Sequence, residues 1–283
     1  MKKLIVTGDD FGAATSVNEA IELAHRSGIL TTTCLMMGGA VVNDAVFRAK
    51  RMPALKVGLH VAVVDGRPVL DPHSIPLLVN ERGEFSRRLF RSGLSFFFNP
   101  EVRRQLAAEI RAQFEAFRAT GLTLDHVNGH NHMHIHPSVL DLIIDIGRDF
   151  GVRAVRLPYE PFLPTWQATH TDLVGRFETG VLLLPMLGLM RHRLRRAQLA
   201  FNDYLFGISD TGGMTSERVL QLISHLPDGV SEMHFHPATG HWPGMQAQAR
   251  CQEELAALTN VDVALAIEHR GIKMTTFGEL GAA

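Results

Sequence analysis

The sequence predicts a single α/β domain over residues 1–283, in which parallel strands alternate with helices. Short apolar, β-branched segments alternate with segments whose apolar residues recur at helical spacing. Polar side chains collect in or just after the predicted strands: Asp9, Asp10, His60, His130, Arg156, His234 and His236. Because α/β barrels assemble their sites at the carboxyl ends of the strands, we prefer a TIM-like β/α barrel of about seven or eight strands. A doubly wound open sheet is the alternative.

The predicted elements follow from this alternation and from Gly and Pro residues at their ends. Strands are expected at Lys3–Thr7, Thr31–Met37, Val57–Val63, Leu122–Asn128, Ala154–Leu157, Leu199–Asn202, Ser231–Phe235 and Lys273–Thr276. Helices are expected from Ser16 to Gly28, Asn43 to Met52, Pro100 to Gly121, Thr215 to Leu226 and Val261 to Arg270, with others beginning at Pro137 and Ala247. A long loop from Asp65 to Phe98 is expected to be functional or partly folded, and Pro158–Gln198 has no clear pattern.

Composition argues against several classes of protein. The formal net charge of -1 lacks the basic surplus of a nucleic-acid-binding protein, so no nucleic-acid partner is expected. Cys34 and Cys251 form no C-x-x-C pair, which indicates a reducing compartment without a disulfide framework. The N-terminus becomes acidic at Asp9, too early for a signal peptide, and we therefore expect a cytoplasmic protein.

Two apolar segments bear on membrane contact. No segment reaches the roughly 18 apolar residues that a membrane span needs. Val181–Met190 is apolar and is followed by the basic sequence R-H-R-L-R-R, and Phe96–Phe98 forms a smaller apolar run. Each segment fits either an outer element of the fold or a patch that rests on an anionic membrane surface.

Histidine is concentrated in one segment, His126–His136, which reads H-V-N-G-H-N-H-M-H-I-H. Imidazole is the commonest metal ligand and moves protons near neutral pH, so this density indicates chemistry. The segment lies between a predicted strand and the helix that begins at Pro137, unlike a terminal expression tag. His132, His134 and His136 follow at every second residue, which would place them on one side of an extended backbone.

A carboxylate and two imidazoles supply three ligands to a divalent cation and leave positions open for water and substrate. Such a cation lowers the pKa of bound water and polarises a carbonyl group, and both effects serve hydrolysis. Asp9 and Asp10 reach one site only if the backbone turns one of them, after which one binds the metal and the other accepts a proton. An Asx-type turn for this pair and a hydrogen-bonded core position for His60 stay open as alternatives.

Five motifs in order along the chain resemble the YdjC/ChbG-type carbohydrate deacetylases. They are D-D-F-G at 9–12 with V-N-E-A-I after it, G-L-H at 58–60, D-H-V-N-G-H-N-H-M-H-I-H-P at 125–137, V-R-L-P at 155–158 and H-F-H-P at 234–237. The stretches G-L-H-V-A-V-V-D-G-R-P-V-L, R-R-Q-L-A-A-E-I-R-A-Q-F-E-A-F and F-F-F-N-P are similar to the hopanoid-biosynthesis-associated (HpnK-like) branch.

This resemblance implies a β/α barrel that hydrolyses N-acetyl groups on amino sugars with one divalent metal cation, Mg or Zn. Motif by motif, it implies metal ligands at Asp10, His60 and His130, a general base at Asp9, a general acid at His236, and substrate or supporting contacts at His132, His134 and Arg156. Gly8 stands where the family usually has Ala, so the geometry around Asp9 is less fixed. His136 is assigned no role.

The branch resemblance implies an N-acetylglucosamine-type sugar on a hopanoid lipid, and hence a cytoplasmic protein with peripheral membrane contact. We also expect a homodimer. A chitooligosaccharide deacetylase is the nearest alternative, and a His-rich protein that only sequesters or delivers metal is an alternative of another class. A metal phosphoesterase would be expected to use more carboxylates and a second metal, and a glycosidase to place two carboxyl groups across a sugar bond.

Overall fold

The structure is a computed structural model that describes residues 1–170, 173–242, 244–245 and 248–280. Its strands are β1 (Lys2–Phe11), β2 (Thr32–Leu35), β3 (Lys56–Val61), β4 (Leu124–Gly129), β5 (Tyr204–Phe206), β6 (Gly229–Phe235) and β7 (Lys273–Met274). Its helices are α1 (Thr15–Ser27), α2 (Val42–Lys50), α3 (Leu89–Phe98), α4 (Pro100–Ala119), α5 (Pro137–Gly147), α6 (Phe162–Thr169), α7 (Leu173–Arg196), α8 (Ser216–Ser224), α9 (Cys251–Leu258), α10 (Val261–His269) and α11 (Phe277–Leu280). The predicted α/β alternation is confirmed.

The described strands form one parallel sheet in the order β4-β3-β2-β1-β6-β5. β7 and β2 pair with the same edge of β1: β7 with its first residues and β2 with its last. Beyond β4, isolated bridges join Val127 to Val155 and Ala154 to Ala200 in the described part of the chain. The sheet is therefore a curled half-barrel, and the closed TIM barrel of the prediction is not shown. All its carboxyl ends point the same way, which gathers the strand-end residues at one rim.

Two predicted strands differ from the structure. Ala154–Leu157 was expected to be a strand, but in the structure only Ala154 and Val155 form isolated bridges there. Leu199–Asn202 was expected to be a strand, whereas β5 lies two residues beyond it. The Asn202 side chain accepts a hydrogen bond from the Leu157 backbone NH at 2.7 Å and donates one to the Leu157 carbonyl at 2.9 Å. The Asn202 side chain thus satisfies the backbone groups of Leu157, and no backbone ladder forms between the two segments at this position.

The long segment after β3 is partly folded, as expected, but it ends in helix α3 instead of a loop. Buried polar side chains of α4 hold it against the domain. Glu109 accepts hydrogen bonds from the backbone NH groups of Val69 (2.9 Å) and Leu70 (3.0 Å), and Gln105 accepts one from Leu77 (2.9 Å). These bonds satisfy the backbone of a segment that has almost no strand pairing.

Helix α4 begins where predicted. The Asn99 side chain accepts hydrogen bonds from the backbone NH groups of Glu101 and Val102, at 3.0 and 3.3 Å, and Pro100 occupies the first helical position. Gly121 follows the helix with a φ of 75°, a conformation that favours glycine. The predicted helix start at Ala247 lies outside the described residues, which place α9 from Cys251.

The histidine segment does not have the predicted extended backbone. His130–Ile135 forms a short 3₁₀ segment in which Asn131 and His132 have φ values of 50° and 53°. The segment therefore turns through these two residues, and the histidines at every second position point in different directions. Pro137 then begins α5 as expected.

No helix within the described ranges combines the length and the apolarity that a bilayer-crossing segment requires.

Gly58 of β3 offers a test of this packing. A Cβ atom there would lie 2.6 Å from the His126 ring, which stacks on Phe277 at 4.2 Å and is held at both ring nitrogens. Because that ring has nowhere to move, we expect Gly58→Ala to lower the free energy of unfolding by about 1–3 kcal/mol. Urea denaturation followed by circular dichroism measures the change.

Gly8→Ala is the matched control. Its Cβ would meet the flexible end of Ile21 at 2.8 Å, so we expect it to cost less than about 1 kcal/mol. Equal losses in the two variants would contradict the rigid placement of His126.

Candidate metal centre

The polar residues at the strand ends surround one cavity of about 270 Å³. Its lining includes Asp9, Asp10, His60, His130, His132, His234 and His236. Of the predicted site residues, His134 and Arg156 lie behind this lining and are fully buried. The half-barrel thus brings together groups that come from four parts of the chain.

The backbone at Asp10 allows both neighbouring carboxylates to reach this cavity. Asp10 has a φ of 64°, in the left-handed region, and the β1–β2 register shifts between Gly8 and Phe11. This bulge re-aims one side chain that regular pleating would send to the opposite face. Asp tolerates the left-handed conformation better than most residues, which explains how a non-glycine residue occupies this position.

Three ligand atoms converge at one point beside the cavity. Asp10 Oδ1 lies 3.3 Å from His60 Nε2 and 3.2 Å from His130 Nδ1, and the two ring nitrogens are 3.3 Å apart. Atoms about 2.0–2.2 Å from one divalent cation lie about 3.0–3.5 Å from one another. Asp10 Oδ1 is buried and accepts no hydrogen bond of proper geometry. These residues therefore fit a divalent cation.

The charges of this triad are mutually dependent. Burial by itself raises the pKa of Asp10, but the His130 and His60 rings outweigh burial and hold that pKa well below its usual value. Burial lowers the pKa of His130, whereas the Asp10 carboxylate raises it, and the net shift of this pKa is upward. An anionic oxygen is thus maintained beside two imidazoles, and a cation bound there would displace any proton from the ligating nitrogen of His130.

Asn128 orients one of these imidazoles, and sequence reasoning missed it. The His60 Nδ1 atom lies 2.7 Å from Asn128 Oδ1, an acceptor, so Nδ1 carries the proton and Nε2 presents its lone pair to the centre. The Asn128 amide nitrogen donates to Asp9 Oδ1 at 3.2 Å and contacts Cys34 Sγ at 2.9 Å. The N-G-H sequence before His130 was the available signal, since a buried Asn at a strand end needs polar partners.

Asp9 is held by a buried ion pair with Arg156. The guanidinium donates to both carboxylate oxygens, at 2.7 and 3.0 Å, and also to Glu232 at 2.6 Å. Burial by itself raises the pKa of Asp9, but the Arg156 charge holds that pKa well below its usual value. Glu232, which also accepts a bond from Thr7 at 2.7 Å, was not anticipated. The signal available in the sequence was a carboxylate inside the predicted strand Ser231–Phe235.

Three histidine rings form the opposite wall of the cavity. The His234 ring centroid lies 5.2 Å from that of His132 and 5.3 Å from that of His236. His234 Nδ1 is 3.6 Å from an Asp9 oxygen, too far for a hydrogen bond, and both His234 ring nitrogens are buried without partners. His236 is half-buried, and its backbone NH donates to Glu254 at 2.6 Å. His132 and His236 are thus half-buried, whereas His234 is buried.

The remaining histidines of the segment face the protein. His134 Nε2 lies 3.1 Å from the Arg156 carbonyl oxygen, to which it donates, and burial lowers the pKa of His134 to about 3. His136 Nδ1 accepts a hydrogen bond from the Ser138 backbone NH at 3.2 Å and so caps α5. Neither ring points into the cavity.

Two further groups within the described residues have metal-ligand types close together: Asp9 with Cys34 and His60, and Asp9 with His234 and His236. In both groups the carboxylate is already neutralised by Arg156. Burial also raises the pKa of the Cys34 thiol well above its usual value, which disfavours the thiolate that a metal needs. The Asp10 group is therefore the best candidate for a metal.

Comparison with known proteins finds relatives over nearly the whole chain. A carbohydrate deacetylase of Geobacillus stearothermophilus is 31% identical over 279 residues, which cover 97% of this chain and 96% of that protein. A carbohydrate deacetylase of Brevibacillus brevis is 29% identical over 99% of this chain and 100% of its own length.

Among solved structures, a putative cellobiose-phosphate cleavage protein from Enterococcus faecalis V583 superposes with a TM-score of 0.75 over 99% of both chains. At 23% identity, this likeness shows the fold alone. The sequence profile of the family described as YdjC-like protein matches residues 3–269. The chain therefore belongs to the YdjC-like family.

Proposed function

We propose that this protein is a metal-dependent hydrolase that removes the N-acetyl group from an N-acetylated amino sugar. The observation that carries the proposal is the convergence of Asp10, His60 and His130. Their ligand atoms lie within 3.3 Å of one another, beside the Asp9 carboxylate. The carbohydrate deacetylase names of the two relatives support the same reaction class.

A divalent cation held by Asp10, His60 and His130 would supply a water molecule of lowered pKa and polarise the amide carbonyl. Asp9 accepts the proton of the attacking water, and Arg156 keeps its carboxylate ionised and fixed in place. The water oxygen bonds to the carbonyl carbon and the C–N bond breaks. His236 gives a proton to the departing nitrogen, so the products are acetate and a free amino sugar.

The neighbouring residues take supporting roles in this proposal. Arg156 acts through Asp9, because its side chain is fully buried behind that carboxylate. His134 fixes the Arg156 backbone by donating a hydrogen bond to the Arg156 carbonyl oxygen. His132 lines the cavity and is the member of this set that is placed to contact the sugar.

The ligand set favours zinc over magnesium. Two imidazoles and one carboxylate are donors that zinc accepts, whereas magnesium prefers oxygen ligands and retains its waters. For the substrate, the branch resemblance supports an N-acetylglucosamine-type sugar carried on a hopanoid lipid, with a chitooligosaccharide as the alternative. Acetate release from both substrates by the purified protein decides between them. The expected homodimer stays a prediction.

Asp10→Asn tests the metal centre, because Asn tolerates the left-handed backbone and the fold is retained. We expect metal affinity, measured by isothermal titration with Zn²⁺, to fall at least about 100-fold, since loss of a supporting residue alone costs about 10–100-fold. Acetate release should fall with it. Chelation of the wild-type protein should have the same effect, and zinc should restore activity.

His136→Gln, in the same histidine segment, is the control and should leave one metal per chain. Several metals per chain in the wild type, with a loss in this control, would support metal sequestration and reject the catalytic centre.

Asn128→Leu tests the orientation of His60. The variant keeps the volume but leaves His60 Nδ1 without its acceptor, so we expect zinc affinity to fall about 10–100-fold. Cys34→Ala is the matched control. Cys34 contacts the Asn128 amide nitrogen, whereas His60 is bound to the Asn128 oxygen, so this variant leaves the acceptor of His60 in place. If Cys34→Ala weakens zinc binding as much as Asn128→Leu does, the metal lies at the Asp9, Cys34 and His60 group instead.

His236→Ala tests the general acid. We expect kcat for acetyl-sugar hydrolysis to fall by about 10²–10⁴-fold while the metal content is unchanged. An aryl acetate ester, whose leaving group needs no protonation, should be hydrolysed at nearly the wild-type rate. An equal loss of activity on the ester would show that His236 is not the general acid. A larger loss in His234→Ala that is likewise confined to the acetyl sugar would assign the acid to His234.

A further inference from the structure

Helix α3 exposes a stripe of large apolar side chains. Phe90 is 81% exposed, Leu94 45%, Phe97 58% and Phe98 74%, whereas Phe96 on the opposite side is buried. The exposed residues recur at the spacing i, i+4, i+7 and i+8, so they share one helix face. Surfaces rarely expose a contiguous apolar patch unless it binds something.

The charges in and before α3 are cationic. The helix contains Arg91 and no carboxylate, and Arg87 and Arg88 immediately precede it. All three arginines are exposed, and Arg87 is paired with Asp65 at 2.8 Å. A helix of this type, with phenylalanine on its outer face and arginine beside it, lies in the boundary between lipid headgroups and acyl chains.

A second segment has the same composition. From the middle of α7 onwards, Leu182, Leu184 and Leu189 are 76%, 51% and 38% exposed. The basic residues from Arg191 to Arg196 follow directly, and Arg195 and Arg196 are exposed.

Both segments lie against the start of α5. The Phe97 ring centroid is 6.2 Å from that of His136, and Arg193 donates a hydrogen bond to the Pro137 carbonyl oxygen at 3.0 Å. Because His136 and Pro137 are consecutive, the two segments flank one point of the domain. Leu89, the first residue of α3, also lines the metal-site cavity. The two segments therefore both adjoin the start of α5, and α3 also reaches the edge of that cavity.

We infer that this α3–α7 surface, formed by Leu89–Phe98 and Leu182–Arg196, rests on an anionic lipid bilayer. Exposed apolar side chains beside charges of one sign match acyl chains beneath anionic headgroups. A two-fold contact with a second copy would instead bring arginines against arginines. The inference deepens the proposed function and rests on it for one point: the bilayer would present a lipid-linked sugar to the neighbouring cavity.

Vesicle flotation tests the surface directly. We expect the wild-type protein to float with vesicles of equal parts phosphatidylcholine and phosphatidylglycerol, and much less with phosphatidylcholine alone. The triple variant Phe90→Ser, Phe97→Ser, Phe98→Ser should lose at least about tenfold in partition coefficient, because it removes three exposed phenyl groups. The double variant Arg195→Gln, Arg196→Gln should show a smaller ratio of binding to anionic over neutral vesicles than the wild type.

Phe47→Ser is the matched control. Phe47 is 60% exposed on α2 and lies 5.4 Å from the Arg51 guanidinium, so it has the same chemistry away from the surface. The inference is overturned if the wild type does not float, if the control loses as much as the triple variant, or if light scattering shows a dimer that the triple variant dissociates. Acetate release from a soluble N-acetylated oligosaccharide should be equal in all variants, so a failed deacetylase assay and a failed flotation remain separate results.

Discussion

The buried guanidinium of Arg156 is the constraint on which the site depends. It bonds to Asp9 of β1 and Glu232 of β6, and its own backbone NH donates to the Val127 carbonyl oxygen of β4. Three segments of the half-barrel thus meet at one fully buried cation. Removing one partner of such a network is strongly destabilising, by about 3–5 kcal/mol, because the remaining charges are left buried without a partner. The charge that fixes Asp9 therefore also fixes the sheet around it.

The two adjacent aspartates have different environments and hence different capacities. Asp9 faces a permanent cation that occupies both of its oxygens, so it has little negative charge to offer a metal. Asp10 faces two imidazoles, which are neutral when they act as metal ligands, and its Oδ1 has no hydrogen bond. The left-handed backbone at Asp10 creates this division, since a regular strand would place the two carboxylates on opposite faces. Local backbone geometry, more than residue type, assigns their roles.

The sequence predicted those parts of the fold and site that depend on regular periodicity. Alternating strands and helices placed Asp10, His60 and His130 at the carboxyl ends of strands, and the structure brings them within contact of one another. The missed parts depend on tertiary partners. Asn128 and Glu232 acquire their importance from side chains far away in sequence. Whether the sheet closes also depends on tertiary packing, because side-chain bonds such as those of Asn202 replace the ladder that closure would need.

The histidine segment shows why density alone does not define a metal site. An extended backbone would have aligned its alternate rings, but the left-handed turn at Asn131 and His132 sends each one to a different partner. His130 faces Asp10, His134 faces the Arg156 carbonyl oxygen and His136 caps α5. Two of these rings thus stabilise the scaffold, and the candidate metal centre includes a second imidazole, His60 of β3. Because the three candidate ligands come from three separate strand ends, the proposed centre forms only when the half-barrel is folded, and a metal bound there would couple to folding.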